Sequence, residues 1–322
     1  MADSLIYVSR LLTDRAMAHL KSLGIAVRVG DEDPPSRAEL ERGIIGAGAA
    51  VVTLTEQVDA ALLAAAGDQL KVVANVAVGY DNIDLDAAET AGVTVTNTPG
   101  VLDRATADHT FALILAATRR VAEGDRFLRR REPWVWGPRM LVGLDISAGA
   151  TLGILGYGRI GRAVANRAKA FDMTVVASAR SRTPGTEEDG VTFVDTSTLL
   201  ATSDVLSVLT PLTLQTRHLI DATALAAMKP TAYLINTARG GVVDEAALID
   251  ALHAGQIRGA ALDVFEGEPH VNPALLDAPN LVLTPHIASA GEATRDAMGI
   301  LAIDNAAAVL AGNPPLTPVR RN

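Results

Sequence analysis

The chain contains no cysteine, and only 3% of its 322 residues are aromatic. The first absence excludes disulfides, thiol nucleophiles and cysteine-held metal sites. The second means that any core must be built from Ala, Val, Leu and Ile. No apolar run approaches the roughly 18 residues needed to cross a bilayer, so no membrane partner is expected. The opening Met1-Ala2-Asp3-Ser4-Leu5-Ile6 lacks the basic stretch and apolar segment of a secretory leader, and a cytoplasmic protein is expected. Positive charge is also short, with 28 Lys and Arg against 37 Asp and Glu and a net charge of −9. That balance argues against nucleic acid as a partner but leaves room for a locally positive pocket. The six histidines are scattered without metal-ligand spacing, so no metal is expected.

What the chain does have is alternation, in a sequence that is 49% hydrophobic and long enough for two domains. Residues 5–8, 25–29, 50–54, 70–75 and 93–96 read as short strands, with helical stretches at 14–23, 58–66 and 85–91. A second series starts at Thr151, with strands at 151–155, 174–178, 204–209, 231–236, 258–264 and 280–284 and helices at 159–171 and 244–253. This predicts an α/β fold of two domains, each a parallel sheet flanked by helices. Between the two series one long helix is expected over 104–130, apolar on all sides near its centre. An irregular stretch, 132–150, then carries both tryptophans, Trp134 and Trp136, and is expected to cover a partner subunit or the substrate site. The acidic run Glu187-Glu188-Asp189 reads as a solvated loop. An Ala-rich helix over 292–310 is expected to return to the first domain. The division expected is residues 1–98 plus 287–322 for one domain and 99–286 for the other.

The stretch Gly156-Tyr157-Gly158-Arg159-Ile160-Gly161 follows an apolar strand and opens a helix, with glycines in G-x-G-x-x-G spacing. Gly156 permits a tight turn, Gly158 lets a pyrophosphate approach the backbone, and Gly161 lets helix and strand pack closely. In such sheets ligands bind beyond the C-terminal ends of the strands. Three candidates lie there: Arg239 in Asn236-Thr237-Ala238-Arg239-Gly240-Gly241, the acids Asp263, Glu266 and Glu268 after the next strand, and His286 after the last. An arginine fork suits a carboxylate. An arginine, an acid and a histidine at three successive strand ends of a sheet with a dinucleotide turn form a set that chance rarely assembles.

Over essentially its whole length the chain resembles the D-isomer-specific 2-hydroxyacid dehydrogenases. The resemblance is carried by Asn75-Val76-Ala77-Val78-Gly79-Tyr80-Asp81-Asn82-Ile83-Asp84, Asn97-Thr98-Pro99-Gly100, Ala105-Thr106-Ala107-Asp108, the glycine turn, 236–241, 261–269 and 284–288. Within the family it is most similar to the glyoxylate/hydroxypyruvate reductases. The resemblance implies a flavodoxin-like substrate-binding domain (1–98 plus 287–322) and a Rossmann-type dinucleotide-binding domain (99–286). It also implies reduction of glyoxylate or hydroxypyruvate to a D-2-hydroxy acid, and a homodimer using the 104–130 helix and the Trp loop.

By the same resemblance His286 is the general acid/base, Glu268 its partner and Arg239 the substrate-binding arginine. The backbone N–H groups of Val78 and Gly79 take the substrate carboxylate. The cofactor residues implied are Thr106, Gly156, Gly158, Arg159, Ile160, Gly161, Arg180, Ser181, Arg182, Thr210, Pro211, Thr237, Ala238, Asp263 and Ala288. His19, His109, His218, His253 and His270 match no catalytic position and are read as structural or surface.

NAD sites usually place an acid about 20 residues after the glycine turn, where it binds the ribose hydroxyls. Aligned with the family, Ala179 stands at that position and Arg180-Ser181-Arg182 follow. Two guanidinium groups and a hydroxyl suit a 2′-phosphate, so NADP(H) is the expected cofactor, with NAD(H) the alternative. Other readings are a 2-ketogluconate, phosphoglycerate or D-lactate type dehydrogenase using NAD(H), and, more remotely, a non-enzymatic dinucleotide-sensing corepressor. The appended regulatory domain of many phosphoglycerate enzymes is not expected, since little sequence follows the returning helix.

Overall fold

A computed structural model describes residues 5–320, which divide into two compact units after Leu102 and before Ala290. The smaller unit, through residue 102 and again from 290, runs β1 (Leu5–Val8), α1 (Asp14–Ser22), β2 (Ala26–Val29), α2 (Arg37–Ile44), β3 (Ala49–Val52), α3 (Ala60–Ala66), β4 (Val72–Asn75), α4 (Leu85–Thr90) and β5 (Thr94–Thr96). Its sheet has the order β2-β1-β3-β4-β5 and is parallel throughout, the flavodoxin-like arrangement. β3 and β4 are buried at every position, as expected of strands covered on both faces.

The larger unit begins with α5 (Asp103–Thr118) and α6 (Val121–Arg129), and continues through β6 (Thr151–Leu155), α7 (Arg159–Ala170), β7 (Thr174–Ser178), β8 (Glu187–Glu188), β9 (Val191–Phe193), α8 (Thr196–Thr202), β10 (Val205–Val208) and α9 (Ala222–Ala226). It ends with β11 (Tyr233–Asn236), α10 (Glu245–His253), β12 (Gly259–Leu262), α11 (Pro273–Asp277) and β13 (Leu281–Leu283). α12 (Glu292–Leu310) returns to the smaller unit. There it lies against α1, and Gly299 is required because a Cβ at that position would meet the Ala16 methyl at 2.7 Å.

The larger sheet runs β13-β12-β11-β10-β6-β7-β9-β8, with only β8 antiparallel. From β6 the chain builds outward on one side through β7 and later on the other through β10. The order therefore reverses between β6 and β10, the crevice where such sheets bind ligands. Fully buried Leu152, Ile154, Val205, Leu206, Ile235 and Leu234 hold these central strands, each contributing about 1.5–3 kcal/mol by burial.

Three local expectations change. The single helix over 104–130 is two helices: Arg120 sits at φ 53, and its guanidinium pairs with Glu123 at 2.7 Å. The acidic run is not a solvated loop, because Glu187–Glu188 forms β8, the edge strand paired to β9. α2, not among the expected elements, opens with a capping box in which Ser36 accepts from the Glu39 N–H and Glu39 accepts from the Ser36 N–H.

Candidate active site

The glycine turn is built as its spacing requires. Gly156 sits at φ +100, and a Cβ there would lie 2.7 Å from the Thr210 nitrogen, just beyond β10. Gly161 is equally confined, since its Cβ would meet the Gly156 carbonyl at 2.6 Å. A Cβ at Gly158 would meet nothing within 4 Å. The turn is therefore pressed into the sheet at its two ends and open in the middle, at the N-terminus of α7. That is the arrangement an anionic pyrophosphate needs. Arg159 and Ile160 form the first turn of α7, and Arg159 Nε lies 3.2 Å from Asp103 Oδ2.

The polar residues at the ends of β11, β12 and β13 are drawn together by backbone packing. Gly240 abuts the Phe265–Glu266 peptide so closely that any Cβ would overlap it. Asn236 shapes the loop before it, its side chain accepting from the Ala238 N–H at 3.0 Å and donating to the Arg239 carbonyl at 2.9 Å. Arg239 is partly buried and donates through Nη1 to the Ala238 carbonyl at 2.8 Å.

Glu268 and His286 meet: Nδ1 of the imidazole lies 2.6 Å from Oε2 of the carboxylate. The other oxygen of Glu268 accepts the Phe265 N–H at 2.8 Å. Spacing alone leaves Glu266 and Glu268 open and the family resemblance points to Glu268; it is Glu268 that meets the imidazole. Glu266 faces away, accepting from the Glu245 N–H at 3.2 Å, with Arg217 at 3.6 Å. Glu245, buried beside this pair, has its carboxyl pushed up by burial and by the charges of Glu266 and Glu268, against a bond from the Glu266 N–H.

Asp263, expected among the cofactor residues, lies just after β12 and anchors the loop that follows β13. It is wholly buried, and its carboxylate accepts from Thr284 Oγ1 at 2.6 Å and from the N–H groups of Ile287 and Ala288 at 2.9 and 2.8 Å. Its carbonyl accepts the His286 N–H at 2.8 Å. Burial alone would raise the Asp263 pKa; the bonds from His109, Thr284, Ile287 and Ala288 outweigh it and hold the carboxyl below its ordinary value. Asp263 thus serves the site by fixing the loop on which His286 sits at φ 52. His109, read as structural or surface, belongs to the same network, with Nε2 at 3.3 Å from Asp263 Oδ1 and 3.1 Å from Thr284 Oγ1. Its position on α5, one turn after Thr106, was the available signal.

The remaining expected cofactor residues lie after strand ends or, for Thr106, on α5. Thr210 and Pro211 follow β10, and Pro211 is exposed. Thr106, Thr237 and Ala288 are buried; Thr237 shares a 2.8 Å hydroxyl bond with Thr110. Arg180 and Ser181 are exposed beyond β7, whereas Arg182 pairs with Glu188 at 2.9 Å. In the smaller unit the Val78 and Gly79 carbonyls accept from the side chains of Asn97 and Asn75 at 2.8 and 2.9 Å. That fixes the turn carrying their N–H groups.

The family model described as D-isomer specific 2-hydroxyacid dehydrogenase, NAD binding domain, matches residues 111–288. A glyoxylate reductase of Thermococcus litoralis is 43% identical over 98% of this chain and 97% of its own length. A solved Thermus thermophilus protein is 44% identical, with a TM-score of 0.92 over 98% of this chain and all of that one. An NADPH-dependent glyoxylate/hydroxypyruvate reductase of Sinorhizobium meliloti, solved with NADP and malonate, is 34% identical with a TM-score of 0.85 over the full length of both chains. The chain belongs to the D-isomer specific 2-hydroxyacid dehydrogenase family and is an NAD(P)-dependent dehydrogenase.

Proposed function

We propose that this chain reduces a small 2-keto acid, glyoxylate or hydroxypyruvate, to the D-2-hydroxy acid with NADPH. The observation that carries the reading is the 2.6 Å His286–Glu268 pair, set at strand ends of the sheet that also carries the glycine turn and the Arg239 loop. The names of the Thermococcus and Sinorhizobium proteins support the substrate class. Gly156, Gly158 and Gly161 with the first turn of α7 would hold the cofactor's pyrophosphate, and Arg180 and Arg182 its 2′-phosphate. When bound, the cofactor supplies the hydride.

The chain's own residues supply the rest. Reduction of a ketone leaves negative charge on oxygen, and His286 as imidazolium gives that oxygen its proton from Nε2. Glu268 accepts from Nδ1–H, which fixes the tautomer and the ring's orientation. Arg239 binds the substrate carboxylate and polarises the carbonyl. The N–H groups of Val78 and Gly79 are assigned to the substrate by the family resemblance. In this reading the unit containing residues 103–289 binds the dinucleotide and the other binds substrate. A homodimer is part of the reading: Val121, Leu128, Trp134, Val135 and Trp136 are exposed apolar side chains on α6 and the segment after it.

One observation favours a second reading, a related 2-hydroxyacid dehydrogenase using NAD(H): Arg182 is already paired with Glu188. Initial rates on a panel of 2-keto acids, with NADPH and NADH side by side, decide. The proposal requires the highest kcat/KM on glyoxylate or hydroxypyruvate with NADPH. Higher efficiency with NADH, or on a larger acid, gives the second reading.

A further inference from the structure

At the edge of the larger sheet one carboxylate lies between two guanidinium groups. Glu188 Oε2 receives Arg182 Nε and Nη2, each at 2.9 Å, while Arg162 Nη1 pairs with Oε1. Each arginine is also backed by an aromatic ring. Arg162 lies 5.1 Å from the centroid of Tyr157 and Arg182 lies 5.7 Å from that of Phe193. The two rings meet edge to face at 5.1 Å. Tyr157 is inside the glycine turn and Arg182 is in the loop after β7, so the cluster joins the two segments assigned to the phosphates of the cofactor.

A carboxylate shared by arginines presents what a phosphate monoester presents: acceptor oxygens and negative charge. We propose that Glu188 is an internal competitor for the 2′-phosphate of NADPH, and so a specificity-determining residue. It holds Arg182 toward β8 in the free protein. A 2′-phosphate must share that guanidinium or draw it away, against the repulsion of the Glu188 charge. NADH has no 2′-phosphate and meets neither cost. Glu188 therefore narrows the preference for NADPH that Arg180 and Arg182 create. This rests on the assignment of those two arginines to the 2′-phosphate. The opposing charge comes from β8, outside the loop that would be inspected for cofactor preference.

Glu187 provides an internal control, because successive strand residues face opposite sides of the sheet and Glu187 is exposed. Isothermal titration calorimetry with NADP⁺ and NAD⁺ on the full chain tests the inference. Glu188→Gln is expected to tighten NADP⁺ binding about 5–10-fold, as for a partly exposed charge pair, and to leave NAD⁺ binding unchanged. The gain should shrink as salt is raised. Glu188→Thr, suited to an edge strand, should act in the same direction, and Glu187→Gln should change neither affinity. Unchanged or weaker NADP⁺ binding in both Glu188 variants, with the wild-type preference for NADP⁺ intact, overturns the inference while leaving the cofactor assignment standing. Failure of that assignment looks different: Arg180→Ala with Arg182→Ala then binds NADP⁺ as the wild type does, and the inference falls with it.

Discussion

Oε2 of Glu268 lies 2.6 Å from Nδ1 of His286, and the remaining oxygen of the same carboxylate is tied to the Phe265 backbone at 2.8 Å. The acid is thereby held from both sides, and the imidazole takes its orientation from it. Glu268→Gln keeps the shape and one acceptor but removes the negative charge that faces Nδ1. A fall in kcat on the order of 10²-fold is expected. NADPH affinity, followed by nicotinamide fluorescence, should be unchanged. Equal loss of binding and turnover would make Glu268 a structural residue.

Asp263 makes the loop beneath His286 sensitive to acid. Its folded-state pKa is below the ordinary 3.8, so the stabilisation it gives is complete above that value and is lost as pH falls through the folded-state pKa. Asp263→Asn should cost about 1–3 kcal/mol at neutral pH, because buried donors lose a charged acceptor. The difference from wild type should shrink below pH 3.8, as the wild-type carboxylate itself protonates. Thermal melts across the acid range check this. A constant difference at every pH would show that the Asp263 charge does not matter to stability.

The exposed rings of the segment after α6 should be covered in the assembled protein. Trp134 and Trp136 are 54% and 76% exposed, and Val135 between them is 90% exposed. Replacing both tryptophans with Ala should weaken self-association tenfold or more in sedimentation equilibrium, on the order of the loss of one anchoring aromatic. A change in 2-keto acid preference would instead assign the rings to the substrate. Wild-type behaviour in both measurements removes the segment from either role.

What could be read in advance follows the range of the forces involved. The glycine turn was legible because each glycine answers a local demand, and the structure places a backbone atom within 3 Å of a Cβ at Gly156 and Gly161. The strand ends were legible as a rule of open parallel sheets, which pointed to the Arg239 loop, to His286 and to three acids alike; the family resemblance chose Glu268 among them, and Glu268 is the acid that meets His286. The break at Arg120 was not: no Gly or Pro stands at it, and the left-handed residue is an arginine paired with Glu123. β8 was hidden because two consecutive glutamates have poor strand propensity; its formation depends on pairing with β9 and on Arg162 and Arg182 neutralising Glu188. α2 was legible but overlooked, since Ser36 and Glu39 carry the capping-box spacing.

In the proposed reaction His286 gives the proton when a small 2-keto acid is reduced. The most direct measurement compares wild type with His286→Ala in glyoxylate-dependent oxidation of NADPH, with NADPH affinity determined on the same samples. In the variant kcat is expected to fall about 10²–10⁴-fold while the affinity for NADPH stays at its wild-type value. Turnover within a few-fold of wild type in the variant, or no 2-keto acid reduced by the wild type with either cofactor, would contradict it.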